Sequence, residues 1–192
     1  MAKKIAVVHG RFQPLHNGHL ERYIMKAVEM TNCDILYVGI TNSDEAHIKP
    51  SRSNPDRSKP QNNPLSYIER LEMIKAALME KGLKREQFEI IPFPINRLDL
   101  LPQYKIKGAK YYLTIFDQWG KDKLADLISL YRAKNVIEIP TEIDDEHRIK
   151  ATTIRRKMKL GERWEDLVPP AVSDYLKDNN LVEKIIKLQN GH

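Results

Sequence analysis

Apolar residues fall along this chain in two rhythms that alternate. Short apolar runs predict buried strands, and stripes three and four residues apart predict helices. Lys4 to Val8 is the first run, with Ile5, Val7 and Val8 close together. Leu20, Tyr23, Ile24, Ala27 and Val28 then recur at helical spacing, and that helix is expected to end near Asn32. Cys33 to Ile40 reads as a second, largely buried strand. Residues 43–63 carry three prolines and almost nothing apolar, so they predict a long loop. Ser66 and Glu69 are spaced as a capping box ahead of a stripe at Ile68, Leu71, Ile74, Ala77 and Leu78, which stops before Gly82. Phe88–Pro92, Tyr111–Phe116 and Val136–Ile139 are three further strands. Helical stripes follow the last two: Leu124, Leu127, Ile128 and Tyr131, then Ile154 and Met158. Two more helices are expected after Pro169-Pro170, carrying Val172, Tyr175 and Leu176, then Leu181, Ile185 and Leu188.

Strand, helix, strand within about forty residues is a βαβ unit and requires a parallel pair. The expected fold is therefore α/β: a doubly wound parallel sheet of about five strands with a helical carboxyl end. There is no internal repeat, and 192 residues suit a single domain spanning 1–192.

Composition narrows the setting. Hydrophobic residues make up 41% and charged residues 30%, as in an ordinary soluble protein. One cysteine, Cys33, cannot form an internal disulfide, which fits a reducing cytoplasm. No apolar run reaches membrane-spanning length, and the first residues lack the apolar stretch of a signal peptide. The net charge of +6 suits nucleic acid or a polyphosphate. No nucleic-acid-binding motif is present, so the polyphosphate reading is preferred. Monomer and homo-oligomer both stay open.

The chemistry concentrates between the first strand and the first helix: Gly10-Arg11-Phe12-Gln13-Pro14-Leu15-His16-Asn17-Gly18-His19. Such a turn lies at the carboxyl edge of a parallel sheet, where ligands bind, and the free amides of the following helix favour phosphate. His16 and His19 are spaced to share one side of the first helical turn. Gly18 leaves the backbone open to a ligand. Two imidazoles on one phosphate can donate to its oxygens as charge develops, and Arg11 adds a fixed positive fork. Neither cysteine nor carboxylate stands nearby at ligand spacing, so no metal ligand is expected from protein side chains.

A second constellation runs Ile149-Lys150-Ala151-Thr152-Thr153-Ile154-Arg155. Thr152 or Thr153 is expected to cap a helix there, with Arg155 one turn along and within reach of the same anion. Between them, residues 148–163 hold seven basic residues and one acid. Lys49, Arg52, Arg57 and Lys59 in the long loop could close over a phosphorylated substrate. Asn42, Asn96 and Arg97 end strands or follow them on the ligand edge. Trp119 could stack on a flat ring, and Asp117 is expected to cap the helix that contains it.

The first stretch resembles the signature of the HxGH nucleotidyltransferases, and its Arg-Phe-Gln-Pro form is similar to the archaeal-type nicotinamide-nucleotide adenylyltransferases. The second resembles the family's Ile-Ser-x-Thr-x-Ile-Arg, matching at Ile149, Thr152, Ile154 and Arg155 and departing at Lys150, where serine is usual. The tail from Gly161 to Val172 also resembles the archaeal-type carboxyl region, while the 43–63 loop is longer than in those enzymes. The resemblance implies a Rossmann-like nucleotidyltransferase that joins a nucleoside triphosphate to a phosphate-bearing acceptor and releases pyrophosphate. His16, His19, Arg11 and Arg155 would carry catalysis. Gly10, Phe12, Gln13, Gly18, Lys150, Thr152, Thr153 and Ile154 would join them in holding the nucleotide. Asn42, Asn96 and Trp119 are acceptor candidates, and Arg70 matches an arginine that helps shape the family's site, although a surface ion pair is the preferred reading of it. Mg2+ would ride on the triphosphate. ATP with NMN is the first choice of substrates, and CTP with a small phosphate or phosphonate is the second. A nucleotide-binding sensor without catalysis is the alternative of another class.

Overall fold

The computed structural model describes residues 2–44, 48, 58–141 and 148–190. Five parallel strands form one sheet in the order β3-β2-β1-β4-β5. They are β1 (Ile5–Gly10), β2 (Ile35–Ile40), β3 (Phe88–Pro92), β4 (Lys110–Leu113) and β5 (Val136–Glu138). The order runs outward from β1 to β3 in one direction and from β4 to β5 in the other. The switch point therefore lies between β1 and β4, and the crevice beyond their carboxyl ends is where such sheets take ligands.

Strand β1 is buried on both faces because helices cover both. Ala6 and Val8 enter one core, while Val7 enters the other with Phe93, Tyr111, Leu127 and Tyr131. Tyr111 and Tyr131 stack nearly parallel at 4.0 Å in that second core.

The first helical stretch is not uniform. It opens as α1 (Asn17–His19), widens into a π-helical segment (Leu20–Met25) and closes as α2 (Lys26–Thr31). Asn32 ends it in the left-handed conformation, at the position expected from the stripe. Helix α3 (Tyr67–Glu80) begins with the expected capping box: Ser66 accepts from the Glu69 amide, and Glu69 accepts from the Ser66 amide. Helix α4 (Gln118–Tyr131) is capped by Asp117, which accepts from the Gly120 amide at 2.8 Å. The carboxyl end is helical, with α5 (Ala151–Leu160), α6 (Pro170–Asp178) and α7 (Leu181–Gln189). Helix α6 packs on α3, and α7 on α5.

Three expectations are corrected. Ile68 is 62% exposed, because the buried face of α3 is phased on Arg70, Met73, Ile74 and Ala77, and Ile68 points the other way. Strand β4 stops at Leu113, so Phe116 lies outside the sheet. The cap of α5 is Lys150, with no side-chain bond, and neither threonine caps it. The helix starts early enough to place Thr152 and Thr153 inside its first turn, where the Thr153 amide bonds the Lys150 carbonyl.

Candidate active site

The turn from β1 into α1 is held from three sides. Gln13 is buried, and its side-chain amide pairs with both backbone groups of Leu65, donating at 2.9 Å and accepting at 2.8 Å. Phe12 adopts a positive φ of 52°, and its ring lies against Gly10, where a Cβ would stand 2.8 Å away. That close approach is why position 10 is glycine. The Phe12 ring also meets His19 edge-on at 5.2 Å.

His16 is the N-cap of α1: its Nδ1 accepts the His19 amide at 3.2 Å. An accepting Nδ1 leaves the ring proton on Nε2, so neutral His16 is a donor at its outer nitrogen. Burial, with Arg148 adding to it, lowers the His16 pKa to about 3 and keeps the ring neutral. His19 stacks on it, with ring centroids 3.5 Å apart and planes 18° from parallel. The two histidines are thus brought together as the spacing predicts. The space at Gly18 serves a different purpose from the one expected. The His16 ring itself occupies it, 3.2 Å from where a Cβ would be, and Ile149 comes within 3.7 Å of the same point.

Three guanidiniums gather behind the turn. Arg70 is 2% exposed and is not in a surface ion pair. Its guanidinium donates to the carbonyls of Thr41 (2.7 Å), Asn42 (2.8 Å), Arg11 (3.0 Å) and Ser66 (3.1 Å), tying β1, β2 and α3 together. Arg155 is 1% exposed and donates to the Gln13 carbonyl and the Asn62 side chain, each at 2.6 Å. Arg11 donates to the Asn62 carbonyl at 3.4 Å. Burial lowers the pKa of Arg11 to about 10, and the positive charges of Arg155 and Arg70 add to that shift. Burial alone lowers Arg155 to about 10. Both stay charged at neutral pH. Ile154, expected against nucleotide, is fully buried in the core, and its amide bonds the Lys150 carbonyl. Thr152 is exposed and Thr153 half-buried beside Lys150 at the open end of α5.

Two clefts open on the β2–β3 side of the turn. One of about 480 Å³ is lined by Gln13, Asn42, Asn63, Tyr67 and Arg70 among others. The second, about 360 Å³, shares Asn42 and Tyr67 and adds Pro94, Asn96, Arg97 and Tyr104. Neither takes a lining residue from the histidine pair. Asparagine side chains join them: Asn96 donates to Asn42 at 3.0 Å, and Asn42 donates to Asn63 at 3.2 Å. Arg97 is held by Asp99. On the β4–β5 side, the Arg148 guanidinium lies 4.4 Å over the Phe116 ring, and the Lys123 ammonium 3.9 Å over the Trp119 ring. Trp119 is therefore across the switch point from Asn42 and Asn96, not beside them. Of the loop cations, Lys49, Arg52 and Arg57 lie outside the described residues. The Lys59 carbonyl accepts from Asn63.

Sequence reasoning missed His9, Arg148 and Asn62. A histidine ending an otherwise apolar strand was a readable signal for His9. Arg148 was hidden in a basic run, and nothing local marks Asn62.

Donor imidazoles and gathered guanidiniums at the carboxyl edge of a doubly wound sheet suit the transfer of a phosphate ester, the work of a nucleotidyltransferase. The chain belongs to the cytidylyltransferase-like family, whose model matches residues 7–157. It is 37% identical over 179 residues to the phosphonoformate cytidylyltransferase of Streptomyces viridochromogenes, covering 93% of this chain and 94% of that protein. It is 33% identical over 180 residues to the nicotinamide-nucleotide adenylyltransferase of Pyrococcus furiosus, covering 92% and 84%. A similar fold is found in a bifunctional NMN adenylyltransferase/ADP ribose pyrophosphatase from Francisella tularensis, solved with AMP and a manganese ion. The TM-score is 0.65 at 17% identity, covering 98% of this chain and 53% of that one. No helix among the described residues is long and apolar enough to cross a membrane.

Proposed function

We propose that this nucleotidyltransferase moves a cytidylyl group from CTP to a small phosphonic or phosphoric acid and releases pyrophosphate. The observation that carries the acceptor class is the gathering of Arg11, Arg70 and Arg155 behind a turn whose neighbouring clefts are lined by asparagines. Concentrated positive charge with amide donors suits a small, multiply ionised acid. The motif alone ranks NMN first. The match to a phosphonoformate enzyme, at 37% against 33% identity and over more of the relative's length, reverses that order. Lys150 in place of the family's serine adds charge on the same side. Adenylylation of NMN to NAD is the second reading, favoured by the archaeal relatives.

In either case an acceptor oxygen attacks the α-phosphorus in line. A new P–O bond forms, the bond to the bridging oxygen of pyrophosphate breaks, and that oxygen takes the electron pair. His16, neutral and donating through Nε2, stabilises the charge that builds on the α-phosphoryl oxygens, and His19 acts beside it. Arg11, Lys150 and the open amides of α5 hold the β- and γ-phosphates. Arg155 braces the turn through the Gln13 carbonyl and adds its charge from behind. Among the described residues no group of three His, Cys, Asp or Glu could hold a metal ion. The guanidiniums repel a bare cation, so magnesium fits this site as part of the substrate, carried on the phosphates. The whole of 1–192 acts as one domain, in the cytoplasm.

The test is pyrophosphate release with magnesium, offering CTP and ATP in turn, each with phosphonoformate, small phosphates and NMN. Release with CTP and a small acid is expected. Release only with ATP and NMN would put the second reading first, and no release with any pair would leave a nucleotide-binding sensor.

A further inference from the structure

His9 ends β1 one residue before the turn, and nothing above uses it. The residue is 3% exposed, and its Nε2 is fully buried with no hydrogen-bond partner among the described residues. Such a nitrogen in a native fold calls for an explanation. Its surroundings fix what it can offer. Beyond the pairs Ala6–Lys110 and Val7–Tyr111, strands β1 and β4 part. The Tyr23 hydroxyl, carried there by the π-helical segment, fills the gap. It accepts the His9 amide at 2.9 Å and donates to the Tyr112 carbonyl at 2.7 Å, with the His9 carbonyl a more distant acceptor of the same proton at 3.2 Å. Its one proton is thereby used. The Tyr23 oxygen, 3.5 Å from His9 Nδ1, then faces that nitrogen as an acceptor, so the ring proton belongs on Nδ1. Nε2 is left as a lone pair, a hydrogen-bond acceptor and not a donor. Burial, with Lys123 adding to it, keeps the ring neutral.

His9 stands in β1 beneath the switch-point edge, beside the clefts and not among the residues that line them. The His9 ring meets Phe93 at 5.0 Å, and Phe93 sits between Pro92 and Pro94, which line the second cleft. Phe93 reaches His9 because Gly39, its neighbour across the sheet, has no side chain; a Cβ there would lie 2.6 Å from Phe93. Lys123, whose ammonium lies over the Trp119 ring, is near enough to add to the lowering of the His9 pKa.

We infer that His9 is a specificity-determining residue of this site, whose Nε2 accepts a hydrogen bond from a hydroxyl or amide N–H that the acceptor substrate carries beside its phosphorus acid. This rests on the transferase reading above and deepens it. A fully ionised acid with no such donor leaves Nε2 unsatisfied, and a site built around an acceptor atom discriminates against it.

The test uses the full chain and three probes at mildly alkaline pH, where the phosphorus acid is fully ionised. Hydroxymethylphosphonate and NMN each carry a donor; phosphonoformate has only carboxylate and phosphonate oxygens. Histidines are labelled with 15N, and the His9 signals are assigned by their loss in His9→Phe. Upfield movement of the His9 Nε2 resonance with hydroxymethylphosphonate or NMN, and none with phosphonoformate, is the expected result. It is read without turnover, so it stands apart from any failure of pyrophosphate release. In steady state with CTP or ATP, His9→Phe lowers kcat/KM for a donor-bearing acceptor by about tenfold relative to phosphonoformate. An Nε2 signal unmoved by both donor-bearing probes at saturation overturns the inference. So does an equal loss on all acceptors in His9→Phe, which is what a packing role alone produces.

Discussion

At the scale of single residues, the site depends on who occupies the space around His16. The ring is held by one hydrogen bond, from the His19 amide to Nδ1, and by the absence of a side chain at Gly18. Gly18→Ala puts a methyl group 3.2 to 3.3 Å from that ring, closer than ordinary contacts allow. The α-helical backbone there accepts alanine, so the protein folds. The imidazole shifts, and kcat falls by about tenfold or more, while urea unfolding changes by less than about 1 kcal/mol. Unchanged turnover would mean that the histidine position is not critical. On the proposed mechanism His19→Ala removes a transition-state donor and lowers turnover by about a hundredfold; near-normal pyrophosphate release in that variant would remove His19 from the mechanism. The histidine pair was legible in the sequence because three-residue spacing at a helix start is a local rule. Arg70 was misread because its burial is not local: three of its four carbonyl partners come from Arg11, Thr41 and Asn42, far from α3 in sequence.

Among the elements, the strands and most helices were legible from period alone, since an alternation of short apolar runs and stripes admits few folds. Boundaries and phases were less so. Ile68 fits a helical stripe on paper, but tertiary packing chose the face that carries Arg70 and Met73. The π-helical segment left no signal, although it carries Tyr23 to the parting of β1 and β4. Arg70 is the joint between the elements that bear the site. It spans from α3 to the ends of β1 and β2 with four charge-assisted bonds. Arg70→Ala therefore leaves buried carbonyls unsatisfied and destabilises the fold by about 3 kcal/mol. Arg70→Lys recovers only part of this, because one ammonium cannot reproduce the planar fork. Urea unfolding of both variants measures it. A loss below about 1 kcal/mol in the alanine variant would show that repulsion from Arg11 had offset the joint in the native protein.

At the scale of the whole molecule, the site makes the protein sensitive to mild acid. His9 and His16 are both buried and held neutral: His9 well below its ordinary 6.5, and His16 at about 3. In the unfolded chain both return to about 6.5. Below that pH the unfolded state binds protons that the native state refuses, so stability is full above the unfolded value and is lost as pH falls toward the folded one. One pH unit below 6.5, His16 has cost on the order of 1 kcal/mol, and His9 adds a loss of the same sign. That is a large share of the stability of an ordinary domain. The sign is opposite to that of a histidine paired with a carboxylate, which would stabilise the native state in the same window. Urea unfolding at pH 7.5 and 5.5 reads the difference directly, in a range where most carboxylates have yet to titrate. The double variant His9→Phe with His16→Asn flattens the dependence if these two groups cause it. A wild type equally stable at both values would mean that at least one of the rings is charged in the native protein. For His16 that would put a cation, not a neutral donor, against the α-phosphate, and turnover would then change between pH 7.5 and 5.5, where a ring that titrates at about 3 predicts no change from His16.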